Sequence, residues 1–351
     1  NVGDEIQTQD GLYYSNDDGA TWTKLTWTVP AISTTWSLQT INLSSQATTL
    51  GKPLNGRVRV RWQQYDNSPL SSDGMAFDDV TVTGTPIASS VAGMGAMPYA
   101  TGTAFRVWAP NATAVTVAGT FNGFNATSTP LVSEGNGNWS RSVDGALIGH
   151  EYKYVITNAG VANWRVDARS QDVTNSVGNS VIADLGHTWV NNSFSMPGWN
   201  ELVIYEMHIG TYNDAPGGNP GTWQSAIAKL DHIQNLGVNA VKVMPVAEFA
   251  GDWSWGYNPG HPFAPESVYG SPKDMKAFVD AAHGRGIAVI LDVVYNHWGP
   301  SDLGLWNYDG PSLGNGGIYF FSDWRKSTPW GDTRPDYGRG EVRTYIRDNA
   351  L

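Results

Sequence analysis

Three apolar runs alternate with helical periodicity in the second half of this chain, and no other feature restricts its fold as strongly. Residues 202–208, 240–246 and 287–294 each read as a strand. Between the first two, Trp223, Ile227, Leu230 and Ile233 recur at three- and four-residue spacing, and Gly237 is placed to stop that helix. Ser271-Pro-Lys-Asp274 opens a second helix with an N-cap serine, a proline at the first helical position and an acid in the first turn. A third helix is predicted over 341–351. The run 287–294 is apolar nearly throughout, as a strand covered on both faces must be. Strand–helix alternation of this kind is a parallel α/β arrangement. A Rossmann-like sheet and a (β/α)8 barrel both begin this way, and periodicity does not separate them.

The chain before Pro197 has a different character: short strands between turn clusters. Residues 1–86 read as a partial, jelly-roll-like β-sandwich, with strand runs at 11–14, 57–62 and 76–82. Ser15-Asn-Asp-Asp-Gly-Ala-Thr-Trp22 resembles the Asp-box pattern at every position. Its physics is that of a turn: carboxylates accept backbone N–H bonds, Gly19 supplies a positive φ, and Trp22 packs beneath. Asp73-Gly74 lacks the oxygen-ligand spacing of a calcium loop. Residues 87–98 are small, uncharged and aperiodic, and read as a linker; Gly93-x-Gly95 within them lacks the third glycine of a dinucleotide fingerprint. Residues 99–190 read as a second, immunoglobulin-like sandwich, with strands near 105–110, 115–121 and 152–156 and turns at short intervals. A sandwich of that size is predicted to fold on its own core.

Composition excludes several function classes. The net charge of −11 and the absence of any Lys/Arg cluster argue against nucleic acid as a partner. No apolar run of 18 residues exists, so no membrane helix is predicted. Without cysteine there are no disulfides or thiolate metal sites. The chain opens at Asn1 without an initiator Met, which points to a cut N-terminus, and the cysteine-free composition fits a secreted or extracytoplasmic bacterial protein somewhat better than a cytoplasmic one. Sixteen Trp and 15 Tyr offer stacking surfaces for flat apolar ligand faces, although β-rich domains also use such rings as core.

In a parallel barrel, function sits beyond the carboxyl ends of the strands. Asp292 is predicted inside the third strand, with Asn296 and His297 just past its end. A buried aspartate there needs a partner, so an arginine or a substrate hydroxyl should face it. A strand-end aspartate can equally cap a loop.

Asp292-Val-Val-Tyr-Asn-His297 resembles the first conserved region of the α-amylase superfamily, glycoside hydrolase family 13. Tyr205-Glu-Met-His-Ile-Gly-Thr211, Trp255-Gly-Tyr-Asn-Pro259 and Phe263-Ala-Pro-Glu-Ser-Val-Tyr-Gly270 resemble the family's early barrel motifs, in the right order. The segment FRVWAPNATAVTVAGTFNGF, with NWSRSV and GHEYKYVI after it, resembles the family 48 carbohydrate-binding module that precedes such barrels. For that module a docking role is favoured over glucan binding. The resemblance implies two sandwiches followed by about three β/α units, residues 199–351, of a (β/α)8 barrel. It implies that Tyr257 stacks on the sugar at the cleavage point, that His297 bonds that sugar's hydroxymethyl group, and that Asp292 orients an arginine of a later region. Trp255 and Trp298 are expected to complete this substrate-binding wall. Asn296 matches a residue that binds calcium in true amylases, a metal that branching enzymes often lack, so no cofactor is expected.

The family's chemistry is retaining, with a nucleophilic carboxylate and a second that protonates the leaving oxygen. The resemblance places that pair after the fourth and fifth strands, beyond Leu351. Asp302, Asp309, Asp323, Asp332 and Asp336 all lie in the loop after the third strand. The expectation is therefore a fragment of an enzyme acting on α-1,4-glucan (starch, glycogen or maltooligosaccharides), inactive by itself and most like a 1,4-α-glucan branching enzyme. Hydrolases of the amylase, isoamylase or trehalohydrolase type are the alternative, and a non-catalytic set of glucan-binding modules is the alternative of another class.

Overall fold

Ser15 and Asp17 build the turn that organises the first unit of the chain. The Ser15 hydroxyl accepts from Gly19 N at 2.8 Å, and Asp17 accepts from Thr21 N at 2.8 Å and from the Thr21 hydroxyl at 2.5 Å. The Ser15 hydroxyl also donates to Asp17 Oδ1 at 2.6 Å, and this bond, followed by those from Thr21, holds the Asp17 carboxyl well below the usual carboxylate range. Gly19 has φ 96°, as the turn requires. The structure is a computed structural model that describes residues 10–26, 37–52, 54, 58–63, 80, 84–214, 216–310 and 316–351. It divides into Asn1–Gly84 and Thr85–Leu351. In the first unit, β1 (Gly11–Ser15), β2 (Thr23–Lys24) and β3 (Arg59–Gln63) make a sheet ordered β2-β1-β3, α1 (Leu43–Thr49) lies between β2 and β3 in sequence, and Leu12, Tyr14, Leu25 and Ala47 form the core. Trp22 lies under the Arg61 guanidinium, 4.3 Å from its ring centre. The expected strand at 76–82 and the Asp73-Gly74 turn lie outside the described residues, apart from Val80.

The second unit begins with a sandwich of two antiparallel sheets. Its strands are β4 (Gly95–Tyr99), β5 (Gly102–Trp108), β6 (Ala114–Gly119), β7 (Val132–Ser133), β8 (Asn138–Asp144), β9 (Glu151–Asn158), β10 (Val161–Arg165) and β11 (Ser180–Val181). One sheet runs β4-β5-β8-β7; in the other, β9 pairs with β6, β10 and β11. Period-two alternation in β5, β6 and β9 turns Phe105, Val107, Val115, Val117, Tyr152, Tyr154 and Ile156 inward. The predicted linker is not free chain. The Arg106 guanidinium donates to the carbonyls of Ser89, Val91 and Gly93, and β4 already belongs to the sheet. Absence of charge and periodicity reads as a linker, but here the small residues let the backbone lie flat against an arginine.

The parallel sheet follows: β12 (Ile204–Met207), β13 (Ala240–Val243) and β16 (Ala288–Leu291), adjacent in that order. Between β13 and β16 a hairpin of β14 (Ala247–Phe249) and β15 (Pro259–Pro265) stands apart as its own two-stranded sheet. The helices are α2 (Ile209–Tyr212), α3 (Trp223–Ile227), α4 (Leu230–Asn235), α5 (Pro272–His283) and α6 (Gly340–Ala350). The single helix predicted over 223–233 is split by a tight turn at Ala228–Lys229, which keeps Trp223, Ala226, Leu230 and Ile233 all facing inward. In α5 the cap forms as a capping box, with the Ser271 and Asp274 side chains and backbones bonded reciprocally.

The sandwich does not keep a core to itself. Its buried residues are continuous with Trp298, Leu305, Tyr308, Ile318, Tyr319 and Phe320 from the segment after β16, and with Val342 and Tyr345 of α6. Polar ties reinforce that seam. Arg165 donates to the carbonyls of Asn307 and Tyr308, each at 2.9 Å, Arg169 pairs with Asp348 at 2.8 Å, and the Tyr345 hydroxyl donates to Ala168 O at 2.7 Å. The expectation that 99–190 carries its own complete core is therefore corrected: part of the inner wall comes from nearly 200 residues further along the chain, a distance that local pattern does not report.

Candidate active site

Strand register decides what the barrel-type sheet presents. Tyr205, Met207, Val241, Val243 and Val289 belong to the helix-covered core. By the period-two pleat, the opposite face carries Ile204, Ala240 and Ala288 in one row and Glu206, Lys242 and Ile290 in the next. One step further stands Asp292, whose N–H donates to Val243 O at 2.9 Å. Strand β16 ends at Leu291, so Asp292 lies just past the strand and not inside it, and its side chain keeps 20% exposure. Among the described residues, Asp292 faces a lysine and a phenol. Its Oδ2 accepts from Lys242 Nζ at 2.9 Å and from the Tyr257 hydroxyl at 2.9 Å. Lys242 also reaches Glu206 Oε1 at 2.8 Å. Hydrogen bonds to these two carboxylates push the lysine up.

The 250–258 loop of the β14–β15 hairpin carries Trp253, Trp255 and Tyr257. Gly256 is essential to its path: φ is 83°, and a Cβ there would come within 1.9 Å of Pro245 O at the end of β13. His208, at the end of β12, contacts Ser254 O through Nε2 at 2.7 Å, and the Tyr269 hydroxyl lies 3.1 Å from the same nitrogen. Trp255 is 72% exposed and Tyr257 40%, so both rings are open to a ligand. Burial and the hydrogen bond to Asp292 push the Tyr257 phenol up.

His297 is brought to this loop but faces away from solvent. It is 7% exposed, and its Nε2 lies 2.9 Å from Tyr257 O, which makes Nε2 the protonated nitrogen. Asn296 Nδ2 lies 3.2 Å from Nδ1. The ring stacks on Trp330 at 4.9 Å and 15°. With both nitrogens engaged, His297 holds the backbone of Tyr257 in this structure, and a direct bond to a sugar is not part of the geometry. Trp298 is a correction: it is fully buried, packed edge-on against Phe320 and Tyr345, and unavailable to a ligand. Trp298 belongs to the core shared with the sandwich, whereas the His297 ring turns to Tyr257 and Trp330. For calcium, Asn296 offers one amide already turned to His297, and among the described residues no three His, Asp or Glu side chains are placed to hold an ion.

Two site residues escape sequence reasoning. Lys242 reads as the polar step of an apolar strand, and only strand pairing puts it between two acids. Trp330, 61% exposed behind His297, lies in an irregular segment with no periodicity to place it. Beneath the loop, Glu248 and Glu266 are buried carboxylates. Glu248 accepts from Ser267 N at 2.7 Å, and Glu266 accepts from Phe249 N at 3.1 Å, so each ties the strand beside the other. Burial pushes Glu248 up to about 7; burial and then the charge of Glu248 push Glu266 up to about 8.

Residues 93–170 match the family model of carbohydrate-binding module 48 (isoamylase N-terminal domain), and residues 205–303 match that of the alpha amylase catalytic domain. The 1,4-alpha-glucan branching enzyme of Corynebacterium glutamicum is 35% identical over 266 residues, covering 71% of this chain and 34% of that enzyme. The malto-oligosyltrehalose trehalohydrolase of Arthrobacter ramosus is 36% identical over 251 residues, 70% of this chain and 40% of that enzyme. The crystal structure of a Salmonella typhimurium protein assigned as an alpha amylase superposes with a TM-score of 0.62 at 35% identity, over 73% of this chain and 40% of that one. The chain thus spans about a third of the length of the curated branching enzyme it matches.

Proposed function

We propose, from the premise that the chain belongs to the α-amylase superfamily, that it supplies the module and the first sugar-binding wall of an enzyme acting on α-1,4-glucan. The observation that carries this reading is the linked set at the strand ends: Tyr257 and Trp255 exposed on one loop, with the Tyr257 hydroxyl on Asp292. An exposed ring fixed by a carboxylate suits stacking against the apolar face of a glucose unit while hydroxyls meet polar groups at its edge. Branching, in which an α-1,4 link is cut and the chain is transferred to a 6-hydroxyl, is favoured because branching enzymes recur among the most similar relatives. Hydrolysis is the second reading, favoured by the trehalohydrolase.

Neither carboxylate on this sheet face suits the retaining pair. Glu206 and Asp292 are both ion-paired to Lys242, whereas a nucleophile and an acid must sit across a scissile bond from one another. The 351-residue chain is therefore expected to bind without turnover. Maltotetraose titrated into it and followed by NMR should bind with Kd around millimolar, roughly 4 kcal/mol. Tyr257→Ala should abolish that binding. Binding unchanged in Tyr257→Ala would move the glucan surface elsewhere, and new reducing ends or α-1,6 linkages would overturn the assignment of roles.

A further inference from the structure

We infer that Lys242 is the positioning residue of this site: bridging Glu206 and Asp292 from the middle strand, it fixes the carboxylate that orients the Tyr257 ring. This rests on the α-glucan reading above. Strands β12 and β16 flank β13 and do not touch each other, so their backbones lie about 9–10 Å apart, two strand spacings. A long side chain on β13 spans that gap and joins acids on both neighbours. Lys242 Nζ is 2.8 Å from Glu206 and 2.9 Å from Asp292 Oδ2, the oxygen that also takes the Tyr257 hydroxyl at 2.9 Å. Strand, lysine, aspartate and tyrosine thus form one relay from the sheet to the loop. The lysine is 37% exposed, so the ion pairs as such add little stability. Their effect is geometric: with Oδ2 taken by two donors, Asp292 has one rotamer, and Tyr257 one hydroxyl position. The charged and titrating groups acting on this lysine and phenol are Glu206, Asp292 and each other. His208, two residues on from Glu206, is turned to Ser254 and Tyr269 instead.

Lys242→Met keeps the length of the stem and removes the charge. Glu206 and Asp292 then lose the cation that joins them, and the Tyr257 hydroxyl loses its fixed acceptor. Two readouts on the full chain test this. Without sugar, the ring signal of 13C-labelled Tyr257, identified by its loss in Tyr257→Phe, should shift in Lys242→Met and return in Lys242→Arg. With maltotetraose, affinity of Lys242→Met should fall about five-fold, while Lys242→Arg stays within about two-fold of the parent. An unmoved Tyr257 signal, an unchanged affinity, or failure of arginine to restore either readout would overturn the inference. If the parent chain binds no maltotetraose, the glucan reading fails while the Tyr257 signal still decides the role of Lys242. Should Lys242→Met lose its near-UV circular dichroism, the same two readouts on Lys242→Gln decide the question by the same criteria.

Discussion

Glu266→Gln is expected to stabilise the second unit above neutral pH, and the reason lies in the hairpin that carries Trp255 and Tyr257. Glu248 and Glu266 are each about 1% exposed and are held up at about 7 and about 8 respectively. A carboxyl whose folded pKa lies above its unfolded value binds more protons in the native state, so stability falls as pH rises. The contribution is complete below about 4.5, the ordinary glutamate value, and is lost progressively until pH passes the folded value near 8. For Glu266 alone that interval is worth at most about 4–5 kcal/mol at 1.36 kcal/mol per unit; relaxation of the buried pair brings a working figure nearer ~2 kcal/mol. Glutamine mimics the protonated acid. Its carbonyl still accepts the Phe249 N–H, and it carries no charge to bury beside Glu248. Urea unfolding of parent and variant, followed by tryptophan fluorescence at intervals from about pH 5 to about pH 9, measures the effect directly. The parent should lose stability across that range, and Glu266→Gln should lose roughly 2 kcal/mol less. In heat, that difference is about 4–8 °C of Tm at the alkaline end for a unit of this size. Parallel curves for the two proteins would show that the pair does not titrate as argued.

Two further outcomes separate packing from binding. Trp298→Ala should destabilise the second unit by about 3–5 kcal/mol through the cavity it opens in the core shared with the sandwich, as urea unfolding would measure, while a chain still folded keeps its maltotetraose affinity. Gly256→Ala should do the reverse: the added Cβ meets Pro245 O, the loop must move, and affinity should drop as far as in Tyr257→Ala with only a modest change in unfolding midpoint.

Element type was legible because it depends on local pattern. The pleat of β13 and the capping box of α5 are each written within a dozen residues, and both form. The hairpin β14–β15 was harder to see. Its strands hold three prolines, and its register shifts twice, so no clean alternation marks it. At the site, Tyr257 and Asp292 were legible through family motifs, and the structure joins them by one hydrogen bond. Trp298 follows His297 in sequence, yet its ring belongs to the core that the sandwich shares with the segment after β16, and motif adjacency does not report such a pairing.

Order along the chain, the parallel α/β character of its second half and the motif that carries Tyr257 follow from sequence, because periodicity and motif are properties of neighbouring residues. Tertiary structure alone decided that the sandwich core is completed by the segment after β16, and that Lys242 stands between Glu206 and Asp292. Both facts are pairings between residues far apart in the chain. Strand register and domain packing set such pairings, and no local pattern encodes them.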